Sequence, residues 1–246
     1  FVSSPTTGYN FTGTSFQVFE NKPKTQVTSP SGHHHISDDG FVGKNLFFVG
    51  RNQDSDGMSE IMAFDAGVGQ RTASAGIFSA GNGTLSTARS RCNGFGTSRI
   101  ACIVVGGTSS APATLNSGEE YNGSAVTAAG DTLSATKNQP GSCGTLTAGL
   151  VQGGNGYLTS DEYDGNNFTS GGTASTVGGD GSRAAGLQTD ALVAGGYVSS
   201  YRDDSESYNG ISFATEGDTP GNVNYGGMAG TGHEDAYYFG GYPGSV

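Results

Sequence analysis

The stretch richest in potential ligands runs Asn52-Gln53-Asp54-Ser55-Asp56-Gly57-Met58-Ser59-Glu60. Oxygen side chains at Asn52, Asp54 and Asp56, a glycine at the bend and a carboxylate at Glu60 have the spacing with which short loops wrap a hard cation, so calcium is the one cofactor suggested. The match is partial: Asn52 replaces the usual first Asp, and Ala63 stands where an EF-hand places its bidentate Glu, which excludes an EF-hand proper. The preferred reading is a solvated acidic connection with no cofactor. His33-His34-His35 places two imidazoles on one face of a strand, but no third ligand is identifiable; His233 is a lone further candidate. Cys92, Cys102 and Cys143 are an odd set without CxxC spacing, read as small buried residues, with a Cys92–Cys102 disulfide as the lesser alternative. There is no GxSxG, HExxH or Walker loop. Carboxylates converging on an axis, as in a glycosidase, would have to come from Asp38, Asp131, Asp180, Asp203 or Asp218. The expectation is therefore a protein that is not an enzyme.

The elements that must position these residues recur. Five apolar runs end in Gly or Gly-Gly, at Gly50, Gly106-Gly107, Gly153-Gly154, Gly195-Gly196 and Gly240-Gly241, in steps of 56, 47, 42 and 45 residues. A second landmark keeps pace. Phe64-Asp65, Tyr121-Asn122, Tyr163-Asp164 and Tyr208-Asn209 follow their glycines by 14, 15, 10 and 13 residues. Tyr9-Asn10 has no glycine run before it, but joining the chain ends gives it a lag of 15 residues after Gly240. The chain thus reads as a closed ring of five units cut within one of them, a single domain spanning residues 1–246. A repeat near 50 residues predicts an all-β, five-bladed β-propeller, each unit a four-stranded blade that cannot bury its faces alone. Pairing of N- and C-terminal strands in one blade would close it and leave no unpaired edges.

Each landmark residue has a physical reason. Gly-Gly after a buried strand permits positive φ and close approach of a neighbouring sheet. Asn122-Gly123, Asp164-Gly165 and Asn209-Gly210 suit primed turns between the third and fourth strands. Tyr121, Tyr163 and Tyr208 should then be equivalent, as should Phe168 and Phe213, each five residues beyond its Tyr and buried between blades. Tyr9 to Phe16 stretches the step to seven.

On these residues, above all Glu120-Tyr121-Asn122-Gly123 and Glu162-Tyr163-Asp164-Gly165, the units resemble kelch repeats. Phe stands where that family usually has Trp, and the chain has no Trp. In this it resembles the divergent kelch-like repeats of tailed-phage structural proteins. The resemblance implies a virion (extracellular) protein: a non-catalytic tail-fibre, spike or surface module that binds host surface glycan or protein, or other virion proteins, and that can oligomerise. The alternative is a secreted lectin-like propeller, and a five-bladed glycosidase is the third reading.

Composition fits. Glycine numbers 44 in 246 residues, well above the usual ~7%, yet the regular landmarks argue for order. A net charge of -11 disfavours an extended basic patch, and with it nucleic acid. The longest strictly aliphatic or Cys run, Ile100 to Val105, is too short for a membrane helix, so no membrane insertion is expected. A chain that starts at Phe1 leads us to expect processing, trimming or excision from a longer polypeptide. Binding surfaces on such discs are loops, and Tyr and Arg give large contacts at low entropic cost. Tyr157, Tyr197, Tyr201 and Arg202, near the post-glycine loops, are accordingly the candidate contact residues.

Overall fold

The computed structural model describes residues 8–11, 16–19, 31–33, 45–49, 58–65, 77–98, 100–109 and 113–239. The fold is all-β and propeller-like, a series of antiparallel sheets in chain order. A hairpin of β1 (Gly8–Phe11) and β2 (Phe16–Phe19) comes first. It is followed by a sheet of β3 (Ser31–His33), β4 (Asn45–Val49), β5 (Met58–Asp65) and the long β6 (Ile77–Ser90). The next sheet holds β7 (Asn93–Ser98) and β8 (Ala101–Val105), then β10 (Ser117–Tyr121) and β11 (Val126–Thr132). Between these pairs, β9 (Thr108–Ser109) turns back to become the fifth strand of the preceding sheet by pairing with β6. Two plain meanders complete the series: β12 (Gly141–Thr145), β13 (Ala148–Gln152), β14 (Thr159–Tyr163), β15 (Phe168–Thr173), and β16 (Arg183–Leu187), β17 (Asp190–Ala194), β18 (Ser205–Tyr208), β19 (Phe213–Thr215). A final hairpin pairs β20 (Gly227–Ala229) with β21 (Tyr237–Phe239) across a 3-10 turn at His233–Asp235. The first strands β7, β12, β16 and β20 are neighbours in that order, as expected if each sheet stands beside the next around an axis. Among the described residues no ladder joins β21 to β1, so the two terminal hairpins are separate two-stranded sheets.

The third and fourth strands of each complete meander meet in one register. Tyr121, Tyr163 and Tyr208 pair with Val126, Phe168 and Phe213, each pair closing over four residues. The first hairpin obeys the same rule with a different residue. Phe11, not Tyr9, pairs with Phe16, and Tyr9 faces Val18. The five-residue step is therefore Phe11 to Phe16, because turn length sets the register of a hairpin. The turns themselves carry Gly123, Gly165 and Gly210 at positive φ in the first central place, the type II′ pattern. Each preceding Asn or Asp side chain caps its turn: Asp164 Oδ1, for example, accepts the Asn166 and Asn167 amides at 2.9 and 2.7 Å.

The core lies between sheets. Phe95, Ile103, Val105 and Leu133 pack on Val151, Tyr163 and Phe168, and the next interface repeats this with Cys143, Leu150, Ala184, Val193 and Tyr208. Tyr163 and Phe168 have ring centroids 4.5 Å apart at 36°, and Tyr208 and Phe213 repeat this at 4.5 Å and 37°. Phe168 is buried, whereas Phe213 is half-buried. The Tyr163 hydroxyl donates to Glu120 Oε1 of the previous sheet, and Tyr208 to Glu162 Oε1 at 2.9 Å. Burial first, and then these carboxylates, push both phenols up. Cys92, Cys102 and Cys143 are all buried and no disulfide joins them; burial pushes the Cys102 and Cys143 thiols up to about 12.

The 3-10 turn is tied to β17. Asp190 Oδ1 lies 2.5 Å from His233 Nδ1 and accepts the His233 amide at 3.1 Å. This contact raises the His233 pKa and lowers that of Asp190. The imidazolium contribution is present below the free imidazole value and is lost as pH rises through the raised one. The carboxylate contribution is present above the free carboxylate value and is lost as pH falls through the lowered one. The pair acts fully between about pH 4 and 6.5. We expect the wild-type melting temperature to fall more between pH 6 and pH 9 than that of His233→Gln, and equal slopes would show that the pair does not couple to folding.

Candidate functional site

The Gly-Gly pairs set the geometry of one end of the sheets. Gly106, Gly107, Gly153, Gly154, Gly195 and Gly196 all have positive φ, between 62° and 104°. A Cβ on Gly196 would collide with the Gly178 carbonyl oxygen. The second glycine of each pair donates its amide to the connection that enters the next sheet: Gly107 to Lys137 O, Gly154 to Gly179 O and Gly196 to Val223 O, at 2.8 to 2.9 Å.

Those connections carry two repeated features. The first is a buried tie. Arg89, fully buried, reaches Glu119 Oε1 at 2.5 Å, Ser117 O at 2.9 Å and Gly106 O at 3.0 Å. Lys137 occupies the equivalent place, 3.3 Å from Asp161 Oδ2 and 2.8 Å from Thr159 O. Burial lowers the Lys137 pKa, and Asp161 acts against that shift. The third member, Glu206, has Gly179 in the equivalent place and instead accepts the amides of Ser175, Thr176 and Val177 at 3.1, 2.6 and 3.3 Å. These three carboxylates hold connections to sheets, Glu119 and Glu206 through both oxygens, while Asp161 Oδ2 has the Lys137 ion pair and no hydrogen-bond partner among the described residues.

The second feature is a ring. Arg91, Gln139 and Tyr225 have left-handed backbones, with φ of 55°, 57° and 60°, and Gly181 matches them at 77°. Each sits two residues before the first strand of its sheet. Their peptides are linked in series: Gln139 N donates to Arg91 O, Gly181 N to Gln139 O and Tyr225 N to Gly181 O, at 2.8, 2.9 and 3.0 Å. This ties four connections to one another at the end of the sheets where their first strands begin, the axial mouth. Asp180 precedes Gly181 there, and its carboxyl accepts the Asn155 amide at 2.6 Å. Burial raises the Asp180 pKa against the lowering effects of that amide and of Arg91. Burial also raises the Tyr225 pKa, with Asp180 and Tyr201 adding to it and Arg91 opposing. Arg91 thus acts on Asp180, and Asp180 in turn acts on Tyr225, although the three come from different connections. Asn224, beside Tyr225, is fully buried, and neither atom of its carboxamide has a hydrogen-bond partner among the described residues.

The candidate aromatics adjoin this mouth. Tyr157 O accepts the Gly179 amide, Tyr197 exchanges backbone bonds of 2.9 Å with Asp180, and the rings of Tyr197 and Tyr201 lie 5.1 Å apart at 59°. Tyr157, Tyr197 and Tyr225 are 43%, 38% and 43% exposed. Arg202 and Tyr201 are half-buried, and Arg202 is turned toward Asp204, 3.9 Å away. Of the axial carboxylate candidates, Asp180 has these partners at the mouth, while Asp131, Asp203 and Asp218 are exposed and Asp38 lies outside the described residues. Asn52, Asp54 and Asp56 also lie outside them, Glu60 is on β5 with its backbone facing Thr84, and His33 is on β3. No cluster of three potential metal ligands occurs among the described residues.

Sequence reading missed Arg91, Gln139, Asn224 and Tyr225. A signal existed: Arg91, Gln139, Gly181 and Tyr225 recur at steps of 48, 42 and 44 residues, in phase with the glycines. Their side chains differ, so only the shared backbone geometry reveals the set.

No protein-family model matches the chain, and no curated protein sequence matches it. Among solved structures, the chain is similar to YjhT, a kelch-like β-propeller, with a TM-score of 0.63 at 13% identity over 84% of this chain and 71% of YjhT. At that identity the likeness shows the fold alone: the chain has an all-β, β-propeller-like fold.

Proposed function

We propose that the sheets form a five-bladed ring, and that this ring is a non-catalytic binding module of a virion surface which meets its partner through the Gly-Gly loop end. The observation that carries the binding reading is the grouping of Tyr157, Tyr197, Tyr201 and Tyr225 around the axial mouth. The repeated carboxylates Glu119, Asp161 and Glu206, by contrast, are buried in structural ties. Closure of the ring is supported by strand equivalence: β20 and β21 correspond to the first two strands of a meander, and β1 and β2, through the Phe11–Phe16 pair, to the last two. A second correspondence agrees. Glu120 and Glu162 receive the next sheet's Tyr hydroxyl, whereas β18 has Ser207 at that position and the next aromatic in a closed ring is Phe11, which has no hydroxyl. The virion setting is supported by the resemblance of the repeats. Mass spectrometry of purified phage particles is expected to detect the chain, with no turnover of glycan substrates by the purified protein. Recovery from a host secretome would favour the lectin alternative, and glycan hydrolysis lost in Asp180→Asn would favour the glycosidase.

A further inference from the structure

Resting on the five-bladed reading, we infer that the cavity beside the terminal hairpin is the socket for the chain's own N-terminal hairpin, with Phe11 seated opposite Ala236 and Tyr9 against residues 217–220. The cavity, about 320 Å³, lies between the sheet of β16 to β19 and the β20–β21 hairpin, and Leu192, Ala194, Val223, Met228 and Tyr238 form its apolar wall. The first reason is what covers the equivalent wall elsewhere. Ile103 and Leu150, the third residues of β8 and β13, are both 0% exposed, because the Tyr and Phe pair of the following sheet packs in the same cluster. Leu192, the third residue of β17, is only half-buried. On its side the following sheet supplies Met228, Ala236 and Tyr238 but has no third and fourth strands among the described residues. A Phe pair in the place of Tyr208 and Phe213 would cover Leu192 and remove its apolar surface from water.

The second reason is the free edge of β21. Strands β8, β13 and β17 each lie between two partners, whereas β21 pairs with β20 alone among the described residues. The β1–β2 hairpin has the opposite deficit, a third and fourth strand with no first and second. An isolated two-stranded hairpin is marginal in water and an open edge invites pairing, so the two halves complete one another.

The complete sheets set the register. Tyr121, Tyr163 and Tyr208 lie opposite Cys102, Gly149 and Ala191, each four residues before its Gly-Gly pair. Phe11 closes its hairpin as those tyrosines close theirs, and Ala236 stands four residues before Gly240. Phe11 therefore falls opposite Ala236, and Tyr9 opposite Tyr238. Tyr9 then takes the position of Asp161 and Glu206, whose carboxylates reach back to the Ser134 and Ser175 amides in the connection that leaves the preceding sheet. For Tyr9 that connection is 217–220, which lines the cavity. One hairpin thus accounts for both the apolar wall and the loop side of the socket.

The test is thiol cross-linking of the full chain with dibromobimane, the native cysteines Cys92, Cys102 and Cys143 being buried. Phe11→Cys with Ala236→Cys is compared with Asn10→Cys with Ala236→Cys, because opposite residues of an antiparallel pair share a face and a one-residue slip reverses it. We expect several-fold more product within one chain from the Phe11 pair, read by intact mass and peptide mapping. More product from the Asn10 pair overturns the socket assignment but keeps a closed ring. Products only between chains make the occupant a second copy and overturn it too, and no product from either pair overturns both socket and ring. Hydrogen exchange of the wild-type protein decides the matter if a variant fails to fold: residues 8–11 and 237–239 should be protected together, and free exchange at 8–11, as a loose hairpin shows, overturns the socket. The virion setting is decided separately by the particle mass spectrometry, so it stands or falls independently of these results.

Discussion

Glu119→Ala is expected to destabilise the protein by about 3 to 5 kcal/mol, the usual cost of stranding a buried charge. The substitution removes the carboxylate that Arg89 meets at 2.5 Å inside the protein and frees the Ser86 amide, which it holds at 2.6 Å. The guanidinium would keep its carbonyl partners Gly106 and Ser117 but lose its counter-charge. A paired control separates charge from packing. In Arg89→Met with Glu119→Leu neither charge remains, so that variant should be less destabilised than Glu119→Ala alone, in keeping with the weak net contribution of buried ion pairs. Chemical denaturation of the three proteins measures this. If the double variant is the least stable, the tie stabilises through its charges rather than merely requiring that both be present.

Phe168→Ala is expected to cost about 3 to 5 kcal/mol, the range for emptying a buried aromatic site. The ring lies 4.5 Å from Tyr163 and lines the interface shared with Phe95, Ile103 and Val151, so its loss opens a void between two sheets. Phe213→Ala should cost less, because its ring is half-buried in the same pairing with Tyr208. Equal losses in thermal or denaturant unfolding would mean that ring pairing, not burial, sets the cost.

The repeat was legible because the same physical constraint returns with the same residue. Gly-Gly is needed wherever two consecutive residues adopt positive φ against a neighbouring connection, and Tyr recurs where the third strand of each complete meander meets its turn. Those constraints located the sheets and the equivalence of Tyr121, Tyr163 and Tyr208. The register of the first hairpin was misread because Tyr9-Asn10 matches the residue types of the landmark, while pairing follows the turn and selects Phe11. The buried ties escaped notice because Arg89 and Glu119, or Lys137 and Asp161, are far apart in sequence and look like ordinary surface charges until the sheets are assembled. The axial ring escaped for the opposite reason, since Arg91, Gln139, Gly181 and Tyr225 share a backbone state and no side-chain chemistry. The tyrosines of the candidate surface were found by their position after the glycines, and Tyr197 and Tyr201 do meet.

Hydrogen–deuterium exchange on the chain bound to its partner surface, whether cells or particle proteins, tests the central claim most directly. The binding account predicts new protection at residues 154–157 and 196–202 and at the connection around Tyr225. The distal turns at 122–125, 164–167 and 209–212, at the junction of third and fourth strands, should be unchanged. Protection confined to those turns, with residues 154–157 and 196–202 exchanging as in the free protein, would contradict it and move the binding surface to the opposite end of the sheets.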